Sequence, residues 1–140
     1  MKIHEYQAKE LFKDYEIKIP EGYICKNKDE ILKIYKTLND VVVLKVQVHA
    51  GGRGKVGGVK LVKSEQEVIE FADRFLGKGF QTAQTENEEF IVNKILVEKV
   101  SQINSESYIA LLVDGSNQSV NIIVSPEGGM DIEEVASQYP

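Results

Sequence analysis

Residues 41–62, VVVLKVQVHAGGRGKVGGVKLV, join one apolar run to another through a loop that holds five of the chain's eleven glycines. That arrangement leaves few folding options. Val41–Val48 reads as a strand, mostly apolar on both faces and therefore interior to a sheet. Val59–Val62 reads as the return strand. The glycines between them let backbone N–H groups approach an anion closely. The stretch also has a charge signature. Val41 to Ser64 contains no Asp or Glu but does contain Lys45, Arg53, Lys55, Lys60 and Lys63, on a chain of net charge −5. It is a local positive island, and the simplest ligand that wants cations and free N–H groups together is a polyphosphate.

Rival readings of the loop fail on context. Gly52-Arg53-Gly54-Lys55-Val56-Gly57 fits G-x-G-x-x-G, but the dinucleotide fingerprint needs a helix next, and here a strand follows. A Walker A loop needs Ser or Thr after its lysine, and Lys55 precedes Val56. A strand–glycine loop–strand instead matches a flap that covers ATP phosphates. The competing reading is a solvated glycine hairpin with incidental basic residues. Two unit charges 4 Å apart interact by about 1 kcal/mol in water and about 4 kcal/mol at an effective dielectric of 20. A loop that closes over phosphate therefore gains far more from its cations than an open one, and we expect it to order with nucleotide.

Lys45 sits among valines and a leucine. It is either an edge residue snorkelling to water or a cation aimed into a cleft, and the adjacent glycine loop favours the second. Glu98, after Ile95-Leu96-Val97, is a solvated strand-end carboxylate or a contact for a nucleotide base. Glu106 is a surface charge or an acceptor for ribose hydroxyls. His49 reads as a structural hydrogen-bonding residue, and Ser125-Pro126-Glu127-Gly128-Gly129 as a turn.

The remaining pattern is mixed. His4–Tyr15 is helical, with Ala8, Leu11, Phe12 and Tyr15 in one stripe. Gly22–Cys25 is a short strand. Asn27 with Glu30, and Ser64 with Glu67, mark helix starts by capping-box spacing. Ile31, Ile34, Tyr35 and Leu38 form one stripe; Val68, Phe71, Ala72, Phe75 and Leu76 form the next, stopped by Gly77. Lys78–Glu89 reads as irregular and mobile. Tyr108–Val113 and Val120–Val124 flank a turn, Asp114-Gly115-Ser116-Asn117. Asp131 with Glu134 opens a last short helix. Hairpins mixed with helices give an α/β class in the loose sense, or α+β.

Composition removes several classes. No run of about 18 apolar residues exists to span a membrane. The charged N-terminus lacks a signal-peptide core. The single Cys25 points to a reducing compartment, and with distant His4 and His49 it gives no zinc-type spacing. A pI near 5.1 argues against nucleic acid as partner.

Four stretches together resemble the beta subunit of succinyl-CoA synthetase: His4-Glu5-Tyr6-Gln7-Ala8-Lys9, Lys45-Val46-Gln47-Val48-His49-Ala50-Gly51-Gly52-Arg53-Gly54-Lys55, Leu96-Val97-Glu98, and Glu127-Gly128-Gly129. The resemblance covers residues 1–140 and implies an ATP-grasp fold. Its small nucleotide-binding lobe would be complete at about 20–100, and 1–19 with 101–140 would be the opening elements of a large lobe. It implies that Lys45 contacts phosphates and that Gly52, Arg53 and Gly54 form the covering loop. Glu98 and the backbone near Ser101 would line the base pocket, and Glu106 would accept the ribose hydroxyls. No catalytic residue and no metal ligand is expected in this stretch.

The same resemblance implies ATP with Mg²⁺, the metal held by residues past Pro140, where family members continue. It implies succinate and CoA as co-substrates in the tricarboxylic acid cycle, an alpha subunit that supplies a phosphohistidine, and no nucleic acid or membrane partner. The location would be the bacterial cytoplasm, or the mitochondrial matrix in a eukaryote. The stretch alone would be inactive, with an exposed apolar face on the 108–124 hairpin. Two alternatives are a malate–CoA ligase-like ATP-grasp enzyme and a non-catalytic interaction module.

Overall fold

The local signals at the helix starts are realised as hydrogen bonds. A computed structural model describes residues 2–39, 41–85 and 88–129. Helix α2 (Lys28–Thr37) begins at Asn27, whose side chain accepts from Glu30 N at 2.9 Å, while Glu30 accepts from Lys26 N. Helix α3 (Glu65–Phe75) begins at Ser64, which accepts from Glu67 N, while Glu67 accepts from Lys63 N at 2.7 Å. Each such cap satisfies N–H groups that the helix itself leaves orphaned. Gly77, at φ +71, lets the chain leave α3 in a left-handed conformation.

Four strands form an antiparallel sheet in the order β1 (Gly22–Cys25), β6 (Ile95–Lys99), β2 (Val42–Val46), β3 (Val59–Val62). Strand β2 is interior, as expected, but its two faces differ. Val42, Leu44 and Val46 are buried, while Val43 and Lys45 are only half-buried. The expectation of an apolar strand on both faces is thus corrected: period-two alternation sends Lys45 to the opposite face from the core. The buried face packs under α2 and α3, where Ile31, Tyr35, Leu38, Val68, Phe71 and Phe75 join Ile95 and Val97 in one core. Burying a side chain of this size stabilises the fold by about 1.5–3 kcal/mol. Cys25 lies in this core, and burial, helped by the charge of Glu30, pushes its thiol up to about 12.

The described residues of the stretch 78–89 are more regular than its composition suggested. Strand β4 (Gly79–Phe80) pairs antiparallel with β5 (Phe90–Ile91), and a 3₁₀ turn at Ala83–Thr85 lies between them. Strands of two residues carry no periodicity to read; Phe80 holds the place by packing edge-on against Phe75, ring centroids 5.6 Å apart.

Helix α1 (Glu5–Asp14) also differs from its reading. Leu11, Phe12 and Tyr15 of the apolar stripe are exposed. Its polar edge, Glu5, Tyr6 and Lys9, faces the sheet instead.

The chain divides into two compact units, Met1–Ser101 and Gln102–Pro140. Residues 1–19 fall in the first of these units. In the second unit, β7 (Tyr108–Asp114) and β8 (Ser119–Ser125) form a hairpin, its turn held by Asp114, which accepts from Ser116 N and Asn117 N. Ile109, Leu111 and Val113 pair with Val124, Ile122 and Val120, which places all six on one face. These six are 58–84% exposed, in keeping with the expected apolar face. The expected helix from Asp131 lies outside the described residues.

Leu44→Ala should cost about 2–5 kcal/mol in urea unfolding. Leu111→Ala on the hairpin face should cost under about 1 kcal/mol.

Candidate functional site

The glycine loop is shaped by two left-handed glycines. Gly52 (φ +69) and Gly57 (φ +78) flank a single 3₁₀ turn, Arg53–Val56, closed by Gly58 N donating to Arg53 O at 2.8 Å. Gly58 is also forced by proximity, since a Cβ there would lie 2.5 Å from the Phe80 ring. Gly54 sits at the open crest, with nothing within 4 Å of where a Cβ would be.

Beneath the loop the charged side chains converge. Lys45 Nζ donates to Glu98 Oε1 at 2.6 Å and to Glu5 Oε1 at 3.0 Å. Arg53 donates through Nη2 to Glu5 Oε2 at 2.8 Å and through Nη1 to the Val46 carbonyl at 2.6 Å. Lys9 closes the network, 3.0 Å from Glu5 Oε1 and in direct contact with Glu98. Three cations thus surround two carboxylates, contributed by α1, β2, β6 and the loop.

The register explains the meeting. Glu98 is opposite Val43 and Leu96 is opposite Lys45, so Lys45 and Glu98 are diagonal neighbours on one face. Glu5 and Lys9 are one helical turn apart and face the same way. Gln47, only 3% exposed, ties the helix to the strand: its carbonyl oxygen accepts from Tyr6 N, and its amide donates to Lys45 O, both at 3.2 Å.

Charge states follow from this packing. Burial works against the Glu5 carboxylate, but Lys45, Arg53 and Lys9 outweigh it and hold Glu5 down at about 2. Burial likewise works against the Lys45 ammonium, and Glu98 and Glu5 outweigh it, raising Lys45 above its ordinary value. His4 stacks on His49 with ring centroids 3.9 Å apart. Burial, then the neighbouring His49, Lys94 and Arg53, lower the His4 pKa, so His4 resists protonation.

Of the residues singled out in the sequence, Lys45, Arg53 and Glu98 come together, with Gly52 and Gly54 in the loop above. Glu98 is buried inside the ion network and is not a solvated strand end. Ser101 is exposed at the end of the first unit, and Glu106 lies in the second, its carbonyl accepting from Gly128 N at 3.1 Å. Sequence reasoning did not assign roles to Glu5, Lys9 and Gln47. Their signal was present: carboxylate and amine at i, i+4 on α1, and one amide inside an apolar strand.

A cavity of about 470 Å³ opens beside this network, bordered by Glu5, Arg53, His49, Gly51 and Gln84. A larger depression of about 640 Å³ lies between the start of α2 and the end of α3, away from the network; its charged groups, Lys26, Lys28, Asp73 and Lys78, include the solvent-exposed Lys28–Asp73 pair. Among the described residues, no three His, Cys, Asp or Glu are grouped to hold a metal ion. No described helix is long and apolar enough to cross a membrane.

Residues 2–140 match the ATP-grasp domain model. The chain belongs to the ATP-grasp family. Among solved structures, this ATP-grasp chain superposes on ATP citrate lyase from Methanothrix soehngenii, solved with citrate and coenzyme A. The TM-score is 0.67 at 22% identity, over 93% of this chain and 33% of the other. Phosphoribosylamine–glycine ligase from Thermotoga maritima gives a TM-score of 0.60 at 17% identity, over 88% and 27%. Both likenesses concern the fold. Sequence relatives are nearer: the beta subunit of ADP-forming succinate–CoA ligase from Desulfotalea psychrophila is 49% identical over 140 residues, and that from Pasteurella multocida 50% over 141. The ATP-grasp chain is covered fully in both matches and spans 36% of the length of these relatives.

The low Glu5 pKa has a stability consequence. A carboxyl held at about 2, against an ordinary 4.5, stabilises the fold above pH 4.5, and that contribution is lost as pH falls towards 2. Between about pH 5 and pH 2, the wild type should lose about 2–3 kcal/mol more than Glu5→Gln in urea unfolding.

Proposed function

We propose that this chain is the ATP-handling front of an acid–CoA ligase beta subunit. In the complete enzyme, ATP, succinate and CoA would become ADP, phosphate and succinyl-CoA. The phosphoryl group would pass through a histidine of an alpha subunit to the succinate carboxylate, and the CoA thiol would then displace phosphate. The convergence of Lys45 and Arg53, from a strand and from the glycine loop, on one point beneath that loop carries the reading. The succinate–CoA ligase names of the relatives support the reaction, and their word "beta" supports an alpha partner. Their bacterial sources support a cytoplasmic place.

In this reading each group has a task. Lys45, aimed by Glu98, neutralises phosphate oxygens. The Gly52–Gly54 backbone supplies N–H donors that need no side-chain room, and Arg53 sets the height of the loop by its grip on the Val46 carbonyl. The strand end from Glu98 to Ser101 borders the base, with the Glu98 carboxylate itself committed to Lys45. Glu106 would accept the ribose hydroxyls, and the 108–124 hairpin would be an opening element of the large lobe. Mg²⁺ would accompany the triphosphate and screen its charge. The donor set here, with its carboxylates already paired to ammonium and guanidinium groups, suits phosphate oxygens better than a metal ion.

Titration calorimetry with ATP–Mg²⁺ tests this. Lys45→Ala should weaken binding by about tenfold or more. Amides of residues 51–58 should gain hydrogen-exchange protection when ATP is added. Equal affinity in wild type and Lys45→Ala, with no added protection, would assign the loop to an interaction module instead.

A further inference from the structure

The cavity beside the loop reaches Glu5 and Arg53, while Lys45 is not on its wall. Glu5 belongs to both places: it lines the cavity and lies 3.0 Å from Lys45 Nζ. Its two oxygens are also shared in a particular way. Oε1 accepts from Lys45 and Oε2 from Arg53, so one carboxylate fills the charge positions of both cations that the phosphate reading needs.

We propose that Glu5 is an internal gate of the phosphate cradle, a carboxylate that occupies Lys45 and Arg53 and must swing aside for a nucleoside triphosphate to reach Lys45. This inference rests on the nucleotide reading above and adds a positioning residue to it. The network is built so that the swing strands no charge. Lys9 lies 3.0 Å from Glu5 on the same helix, one turn along, and stays its partner when the sheet cation is surrendered. Glu98 stays on Lys45 at 2.6 Å and keeps the ammonium aimed. Removing one member of a buried ion pair is costly because it leaves the other uncompensated; here a phosphate oxygen takes the vacated place on each cation as Glu5 leaves. Arg53 belongs to the loop and Glu5 to α1, so nucleotide arrival is read out at once by the loop and by the first turn of the helix.

Two measurements on the whole chain decide it. In calorimetric titration with ATP–Mg²⁺, Glu5→Gln removes the competing charge and should bind about tenfold tighter than wild type. Glu5→Asp keeps the charge and should stay close to wild type. In hydrogen exchange on the wild type, ATP should loosen amides in the first turns of α1, residues 6–12, while it protects 51–58. A purely structural Glu5 would give the opposite pattern: weaker binding in Glu5→Gln and unchanged or greater protection of α1. That result, with Lys45→Ala still impaired, overturns the gate and leaves the nucleotide reading standing. Absence of ATP binding by the wild type overturns both. If circular dichroism shows Glu5→Gln unfolded, the α1 exchange response of the wild type decides alone.

Discussion

A half-buried ammonium needs a counter-charge, and that need organises the first unit. Lys45 lies on an interior strand, where desolvation works against its charge. Glu98 on the neighbouring strand and Glu5 on α1 meet the demand. Each of those carboxylates then requires more than one donor, and Lys9 and Arg53 supply them. Helix α1 has no fully buried residue of its own. It is held against the sheet by these ions and by Gln47, rather than by an apolar stripe. The orientation of the N-terminal helix thus follows from the electrostatics of one strand residue.

The sheet divides its labour between its faces. One carries Leu44, Val46, Ile95 and Val97 into a dry core under α2 and α3. The other carries Lys45 and Glu98 towards α1 and the loop. Close packing on the first face leaves the strands little freedom to shift. That rigidity fixes the diagonal spacing of Lys45 and Glu98 to within hydrogen-bond tolerance. The glycine loop is pinned at its base, by Gly58 against Phe80 and by Arg53 on the Val46 carbonyl, while its crest at Gly54 stands clear.

What the sequence disclosed was mostly local. Both capping boxes, the α2 and α3 stripes, and the strand–loop–strand around Gly51–Gly58 depend on residues a few positions apart, and all are present. The relation of Lys45 to the loop was legible because a cation inside a run of valines is chemically anomalous. The role of Glu5 was only half legible: its pairing with Lys9 is a local i, i+4 signal, but Lys45 and Arg53 lie 40 and 48 positions away and no local pattern marks them. Helix α1 was read by its apolar stripe, yet charge pairing decided which edge it buries. Phe80 and Phe90, in strands of two residues, gave no alternation to detect; they became visible only as cross-strand partners.

The chemistry of Cys25 has a practical corollary. The chain's only thiol is sealed in the core at 1% exposure and is protonated far above neutrality. Maleimides and iodoacetamides, which react with accessible thiolates, will pass it by. The folded protein is therefore silent to such labels as it stands. A cysteine placed at Gly54, where side-chain room exists, would become a unique attachment point for a fluorophore. Loop motion could then be followed optically without first deleting the native sulfur.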